Sequence, residues 1–267
     1  MFLPLCAIVQ SEDDVMIIGE EILHYDITDS TNNEAKRLCE KEVVHGRLIV
    51  ADRQTLGRGR RGREWLSSNN DGIWMSYILK PDMDPMEASA LTLVVAMAVA
   101  KAITESTGLK VGIKWPNDIV CNGRKISGIL TEMQSEDNKV RYVIVGIGIN
   151  VDTEFFSDEL KGVATSVFIE SGYKMPKSDI IRHVSIYLEK YYDEFLAAGG
   201  IARLKDDYEE MLVNLGRQVY ADDGTAVMEY TAMGINEQGE LVVRDANGNV
   251  KSIRAGEVSV RGIYGYV

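Results

Sequence analysis

The sequence predicts an α+β protein that ends in a small all-β module, and three observations carry the prediction. Up to about residue 215, β-branched runs alternate with helical patterns. In the middle of the chain, strands follow one another across tight-turn signals rather than across helices, which implies antiparallel pairing in place of a doubly wound sheet. From Gly216 onward, only short, evenly spaced strands with turn signals remain, the pattern of a small barrel. A chain of 267 residues, 45% hydrophobic, is long enough to bury a full core.

Glu21–Ile27 reads as a strand, and Ser30 and Thr31 are capping residues for a helix over Thr31–Glu42. Arg47–Asp52 is a strand entering a glycine–arginine loop, and Ile73–Leu79 is the strand leaving it. Pro85–Thr107, rich in Ala, Val and Met, is apolar on nearly every side and is therefore expected as one buried helix. Val111–Trp115, Ile126–Gln134 and Val140–Val151 are strands. Asn122-Gly123 is a two-residue hairpin signal, and residues 136–139 separate the last two strands. Helices follow over Lys177–Ala198 and Ile201–Val213. The C-terminal strands are Gln218–Ala221, Ala226–Ile235, Glu240–Arg244, Val250–Ile253 and Val258–Val260, with turns at Asp222-Asp223-Gly224 and Asn247-Gly248-Asn249. The expected organisation is an N-terminal extension over 1–20, with ordered structure beginning near Met16, a main domain over 21–214 and a β-barrel over 215–267.

A net charge of −12 argues against a general nucleic-acid binder. Cys6, Cys39 and Cys121, with His24, His45 and His183, form neither a disulfide framework nor a metal-ligand spacing, so a reducing, cytoplasmic setting is expected. The longest uninterrupted apolar run, Leu93–Ala100, has eight residues, against the roughly 18 a spanning helix needs. The N-terminus lacks the basic region of a signal peptide.

Against this acidic background, residues 54–65 carry four arginines (Arg58, Arg60, Arg61, Arg63) and one carboxylate, Glu64, for a local charge of +3. Gly57, Gly59 and Gly62 permit close backbone approach, and guanidinium groups supply paired donors for carboxylate or phosphate. The segment reads as an anion cradle, a solvated loop or an RNA-binding arginine–glycine tract.

Four other segments narrow the choice. Asp29-Ser30-Thr31-Asn32 opens a helix, where free N–H groups and hydroxyls form an ordinary cap or bind a polar group. In Lys114-Trp115-Pro116-Asn117-Asp118, proline cannot donate to a ladder, so the strand breaks and Asn117 and Asp118 reach one rim. Lys125, with Gly128 clearing space beside it, is an edge-strand gatekeeper or a charge aimed into a pocket. Gly146 and Gly148 before Asn150 imply close approach of a ligand or backbone. Trp65 and Trp74 pack a pocket or the ordinary core.

Taken in order, these five motifs closely resemble biotin–protein ligases, from about residue 22 to the C-terminus, where Ala255-Gly256-Glu257-Val258-Ser259 resembles the family's closing barrel. The resemblance implies a class II synthetase-like catalytic domain with a mixed or antiparallel sheet and flanking helices, followed by an SH3-like β-barrel. It also implies a two-step reaction, in which biotin and Mg²⁺-ATP give biotinyl-5′-AMP and the acyl group then passes to a lysine of a biotin carboxyl carrier domain.

The chemistry agrees with the residue types, because joining two anions in a dry site demands cations. By resemblance, biotin meets Ser30, Thr31, Asn32, Gln54, Gly57, Arg58, Gly59, Arg60, Lys125 and Gly128. ATP and the adenylate meet Arg60, Arg63, Lys114, Asn117, Lys125 and Asn150. Lys125, Arg60 and Asp118 are the catalytic candidates, with Mg²⁺ held through ATP and not by protein side chains alone. Asp118 either receives the acceptor lysine or forms a shaping ion pair with Lys114. Residues 54–65 are expected to order on binding ligand.

Many members of the family are also repressors with an N-terminal winged helix-turn-helix. Only 29 residues precede Ser30, so DNA binding is not expected. No membrane partner is expected, and homodimerisation through a sheet edge is plausible for the family. Two other readings are a lipoate–protein ligase, whose loop differs, and a non-catalytic biotin-sensing module, which would not need both Lys125 and the loop.

Overall fold

A computed structural model describes residues 17–222, 226–255 and 259–262, the last four as backbone only. Residues 1–16 of the expected extension, Asp223 and Gly224 of the expected turn and Gly256, Glu257 and Val258 of the Ala255–Ser259 motif lie outside the described residues.

The chain opens with strand β1 (Ile22–Thr28), helix α1 (Thr31–Lys41) and strand β2 (Leu48–Gln54). Helix α1 is the crossover that makes β1 and β2 parallel. Strand β3 (Gly72–Leu79), buried along its whole length, returns antiparallel to β2. The long apolar helix divides in two, α2 (Pro85–Ala88) and α3 (Leu91–Thr107), with the chain re-aimed at Ser89-Ala90. Together these helices are long and apolar enough to cross a membrane, yet 72% of their most apolar window is buried inside the protein.

Past Gly108, which ends α3 in the left-handed region, β4 (Val111–Lys114) does not simply stop at Pro116. The chain turns there and comes back as β5 (Asp118–Cys121), a strand the sequence reading had missed. Asn122 and Gly123, both at positive φ, form the tight turn into β6 (Arg124–Glu136). Asp137 and Asn138 repeat the device before β7 (Lys139–Asn150). The seven strands make one mixed sheet in the order β1-β2-β3-β7-β6-β5-β4.

Helix α4 (Val167–Ser171), capped by the Ser166 hydroxyl, was also unforeseen. Helix α5 (Lys177–Ala198) buries Ile180, Val184, Leu188, Tyr191, Tyr192 and Phe195 at helical spacing and packs on α3. The expected helix over 201–213 is a 3-10 turn at Ile201–Leu204 followed by a shorter α6 (Lys205–Met211). A second sheet then forms from β8 (Gln218–Asp222), β9 (Val227–Ile235), β10 (Leu241–Arg244), β11 (Val250–Ile253) and β12 (Ser259–Gly262). Its order is β11-β10-β9-β8-β12, antiparallel throughout. The fold is thus α+β, a mixed sheet with flanking helices followed by a small C-terminal module consistent with an SH3-like barrel.

Candidate functional site

The N-terminus of α1 is built for more than capping. Ser30, Thr31 and Asn32 are all buried, and the Ser30 hydroxyl makes no cap hydrogen bond. The Thr31 backbone N–H donates instead to Gln54 Oε1 at 2.8 Å, and Gln54 Nε2 donates to Ser67 Oγ at 3.0 Å. The end of β2 therefore caps α1 from across the site. Ser76 on β3 completes the cluster, its hydroxyl donating to Asn32 Oδ1 at 2.6 Å.

The glycine–arginine loop lies folded against this cluster. The Trp65 N–H donates to the carbonyl of buried Gly57, and the Gly59 N–H donates to Arg63 O. Between them is a 3-10 turn at Arg60–Gly62, with Arg61 and Gly62 at positive φ. The arginines separate in direction. Arg58 reaches back over α1, donating to Asn33 Oδ1 at 3.0 Å and pairing with Glu132 Oε1 at 3.1 Å. Arg60 turns the other way and donates to Asn117 Oδ1 at 2.6 Å. Burial holds the Arg60 guanidinium below its ordinary pKa, and the charge of Asp118 works against that. Arg63 is exposed at the rim.

Lys125 reaches the centre through an irregularity in the sheet. Pairing between β5 and β6 shifts register so that Ile119 faces Ser127 while Val120 faces Lys125. The extra residue, Ile126, is a bulge. Three residues apart in a regular strand, Lys125 and Gly128 would point to opposite faces; the bulge places them on one face. Lys125 Nζ lies 2.5 Å from Asp118 Oδ1 and 5.1 Å from the centre of the Trp65 ring. Gly128 and Gly148 sit opposite each other across β6 and β7. A Cβ at Gly128 would come within 2.8 Å of the Trp65 ring, and one at Gly148 within 2.6 Å. Trp65 thus lies flat on a glycine floor beneath the loop, with Trp74 meeting it edge-on.

The remaining predicted residues are placed less uniformly. Asn117 is buried and donates to Ile129 O at 2.8 Å, so it braces Arg60 instead of reaching a rim. Lys114, also buried, stands opposite Asp118 in the β4–β5 ladder. Asn150, at the end of β7, donates to Thr165 O at 3.0 Å, one step from the centre. Glu132, which sequence reasoning missed, collects Lys36 Nζ at 2.7 Å, Asn32 Nδ2 at 2.9 Å and Arg58. Burial would raise its carboxyl, but bonds from Lys36 and Asn32 and the charges of Lys36 and Arg58 bring it below the ordinary value. A charge in the middle of strand β6, two residues past the apolar Gly128–Leu130 run, was its signal. No group of three or more His, Cys, Asp or Glu among the described residues is arranged to hold a metal ion.

A cationic loop closed over a lysine-bearing, glycine-floored sheet, followed by a small β module, defines a protein of the biotin/lipoate ligase class. The family model described as "Biotin/lipoate A/B protein ligase family" matches residues 25–150, and that of the "Biotin protein ligase C terminal domain" matches residues 215–261. The bifunctional ligase/repressor BirA of Bacillus subtilis is 38% identical over 246 residues, covering 91% of this chain and 75% of that protein. The biotin–[acetyl-CoA-carboxylase] ligase of Paracoccus denitrificans is 32% identical, covering 86% of this chain and 97% of that one. Among solved structures, the biotin protein ligase of Aquifex aeolicus in complex with biotin and ATP superposes with a TM-score of 0.78 at 31% identity, covering 91% of this chain and all of that one. The chain belongs to the biotin protein ligase family, a family of ligase enzymes.

Proposed function

We propose that the protein joins biotin to ATP and passes the biotinyl group to a lysine of a biotin carboxyl carrier domain. In the first step a biotin carboxylate oxygen bonds to the α-phosphorus of ATP, the bond to the β-phosphate breaks, and pyrophosphate leaves. In the second, the carrier's lysine nitrogen bonds to the acyl carbon, the bond to AMP breaks, and the amine proton is lost. The observation that carries this reading is the position of Lys125. Its ammonium group projects over a glycine floor, under an arginine-bearing loop, with Arg60 directed to the same place. Two cations converging on one spot supply the charge needed to bring a carboxylate against a phosphate. Mg²⁺ enters this reading with ATP, carried on its phosphates.

Three further parts of the reading are ours. The chain divides into an extension over 1–20, a ligase unit over 21–214 and a closing module over 215–267, supported by the C-terminal family match beginning at 215. The described protein reads no operator DNA, supported by the net charge of −12. It works in a reducing cytoplasm, supported by two unpaired, buried cysteines, Cys39 and Cys121, whose thiols burial pushes up to about 11.

The test is ATP–pyrophosphate exchange. Labelled pyrophosphate should enter ATP only when biotin is present, and lipoate should not replace it. Exchange driven equally by lipoate, or no exchange at all, overturns the reading.

A further inference from the structure

Lys125 stands at a weak point of the sheet. Strand β7 ends at Asn150, which leaves the β7-facing side of β6 uncovered before Ser127. Beside it lies the bulge at Ile126, where the β5 ladder slips by one residue. A bulge disrupts its ladder and frees the strand to bend, so the lysine's backbone needs support from elsewhere. The chain supplies it with residues 163–165. The Lys125 N–H donates to Val163 O at 2.8 Å, and the Thr165 N–H donates to Lys125 O at 2.8 Å, a parallel bridge centred on Ala164.

One side chain binds both halves of that bridge. Glu170 on α4, its side chain only 4% exposed, accepts from Asn122 Nδ2 at 2.7 Å, from Arg124 Nη2 at 2.7 Å and from Thr165 Oγ1 at 2.6 Å. Asn122 belongs to the turn before Lys125, Arg124 opens β6 next to it, and Thr165 belongs to the segment paired with it. Thr165 O in turn accepts from Asn150 Nδ2.

We propose that Glu170 is a positioning residue for Lys125, holding its backbone between the β5–β6 turn and residues 163–165 so that the ammonium reaches the reacting atoms. Glu170 spends its bonds on Asn122, Arg124 and Thr165, and its charge is satisfied locally by Arg124. Most of the expected biotin contacts come from α1, Gln54 and the loop, none of which Glu170 braces, so its effect through Lys125 falls chiefly on the chemical step. The inference rests on the ligase reading above.

The experiment measures biotin-dependent ATP–pyrophosphate exchange and, separately, biotin affinity by calorimetry. The variants are Glu170→Gln, Glu170→Asp, Thr165→Val, Lys125→Ala and the double variant Glu170→Gln/Lys125→Ala. Glu170→Gln should lower exchange at saturating biotin and ATP by about tenfold while the biotin Kd stays within about twofold. Glu170→Asp should recover part of the loss, and Thr165→Val, which leaves the Arg124–Glu170 ion pair intact, should show a milder loss of the same kind. In the Lys125→Ala background, Glu170→Gln should cost less than about twofold more, because residues that act through one another are not additive. Multiplying losses in the double variant, or a loss seen wholly in biotin Kd, would overturn the proposal. Wild-type protein without exchange would sink the ligase reading instead, and this inference with it.

Discussion

Asp118 and Lys125 form the residue-scale core of the site, and their 2.5 Å contact changes what each is expected to do. Lys125 cannot bridge a substrate carboxylate and a phosphate while it is fully engaged with Asp118. In the proposed reaction, binding of two anionic groups draws the ammonium away and leaves the Asp118 carboxylate beside the acyl carbon. On the same proposal, that carboxylate would receive the acceptor lysine, whose ordinary pKa near 10.4 makes loss of a proton part of its attack. Asp118→Asn is expected to slow transfer to a carrier domain by on the order of 10²-fold, the usual weight of one general base. Formation of the adenylate should fall by only a few-fold, reflecting the lost partner of Lys125. Single-turnover measurement of the two half-reactions checks this, and equal losses in both would reduce Asp118 to an orienting group for Lys125. These residues were legible because each is a chemical oddity for its place. A lysine in an apolar strand and a Trp-Pro pair at a strand end needed explaining, whereas Glu132 and Glu170 did not. Their importance comes from partners distant in sequence, such as Asn32 for Glu132 and Asn122 for Glu170, and no local pattern records that.

At the scale of the element, the glycine–arginine loop is one short lid with two struts. Its hinge ends are tied by Gln54 to α1 and by Trp65 to Gly57. Arg58 leans on Glu132 at one side and Arg60 on Asn117 at the other. Leu56 and Leu66 are both well exposed, so apart from Trp65 the lid has little apolar surface to hold it down, and its Arg58–Glu132 strut is open to water on the arginine side, where such a pair contributes about 0–1 kcal/mol. Segments of this kind open at low free energy. Trypsin should therefore cut ligand-free protein within Arg58–Arg63, and biotin with ATP should slow that cleavage by about tenfold or more. Equal cleavage with and without ligand would count against a closing lid. The loop's composition announced its charge and suppleness, but not that its two halves pull in opposite directions. The sheet beneath shows the same division. Hairpins marked by Asn122-Gly123 and Asp137-Asn138 were readable from turn chemistry, while β5, four residues long, and the bulge at Ile126 were not. Both depend on how neighbouring strands pair, and Ile126 is as apolar as a regular strand would require.

Across the whole molecule, the same motif that holds the site also fastens the C-terminal module. Trp115, between Lys114 and Pro116, is buried, and its indole N–H donates to Gly239 O at 3.1 Å, in the turn before β10. Its backbone N–H donates to Asn214 Oδ1, at the junction of the two sheets. Glu209 on α6 adds a bond from the Ile235 N–H, and one buried cluster runs from α3 through Trp115 to Val219, Ala232 and Leu241. The compositional shift near residue 215 marks where a second sheet follows, but it conceals this continuity, because a core shared between sheets leaves no mark in either sequence pattern. Two modules joined by a common core should unfold together. Trp115→Phe keeps most of the ring's apolar bulk and removes its donor, leaving the Gly239 carbonyl without its partner. A lost hydrogen bond of this kind costs roughly 1–2 kcal/mol, which for a chain of this size lowers Tm by roughly 2–6 °C. Differential scanning calorimetry should show a single transition in the wild type and a single, lower one in the variant. Two separate transitions in the wild type, or an unshifted one in Trp115→Phe, would mean that the closing module stands on its own and that Trp115 serves only the strand from which it projects.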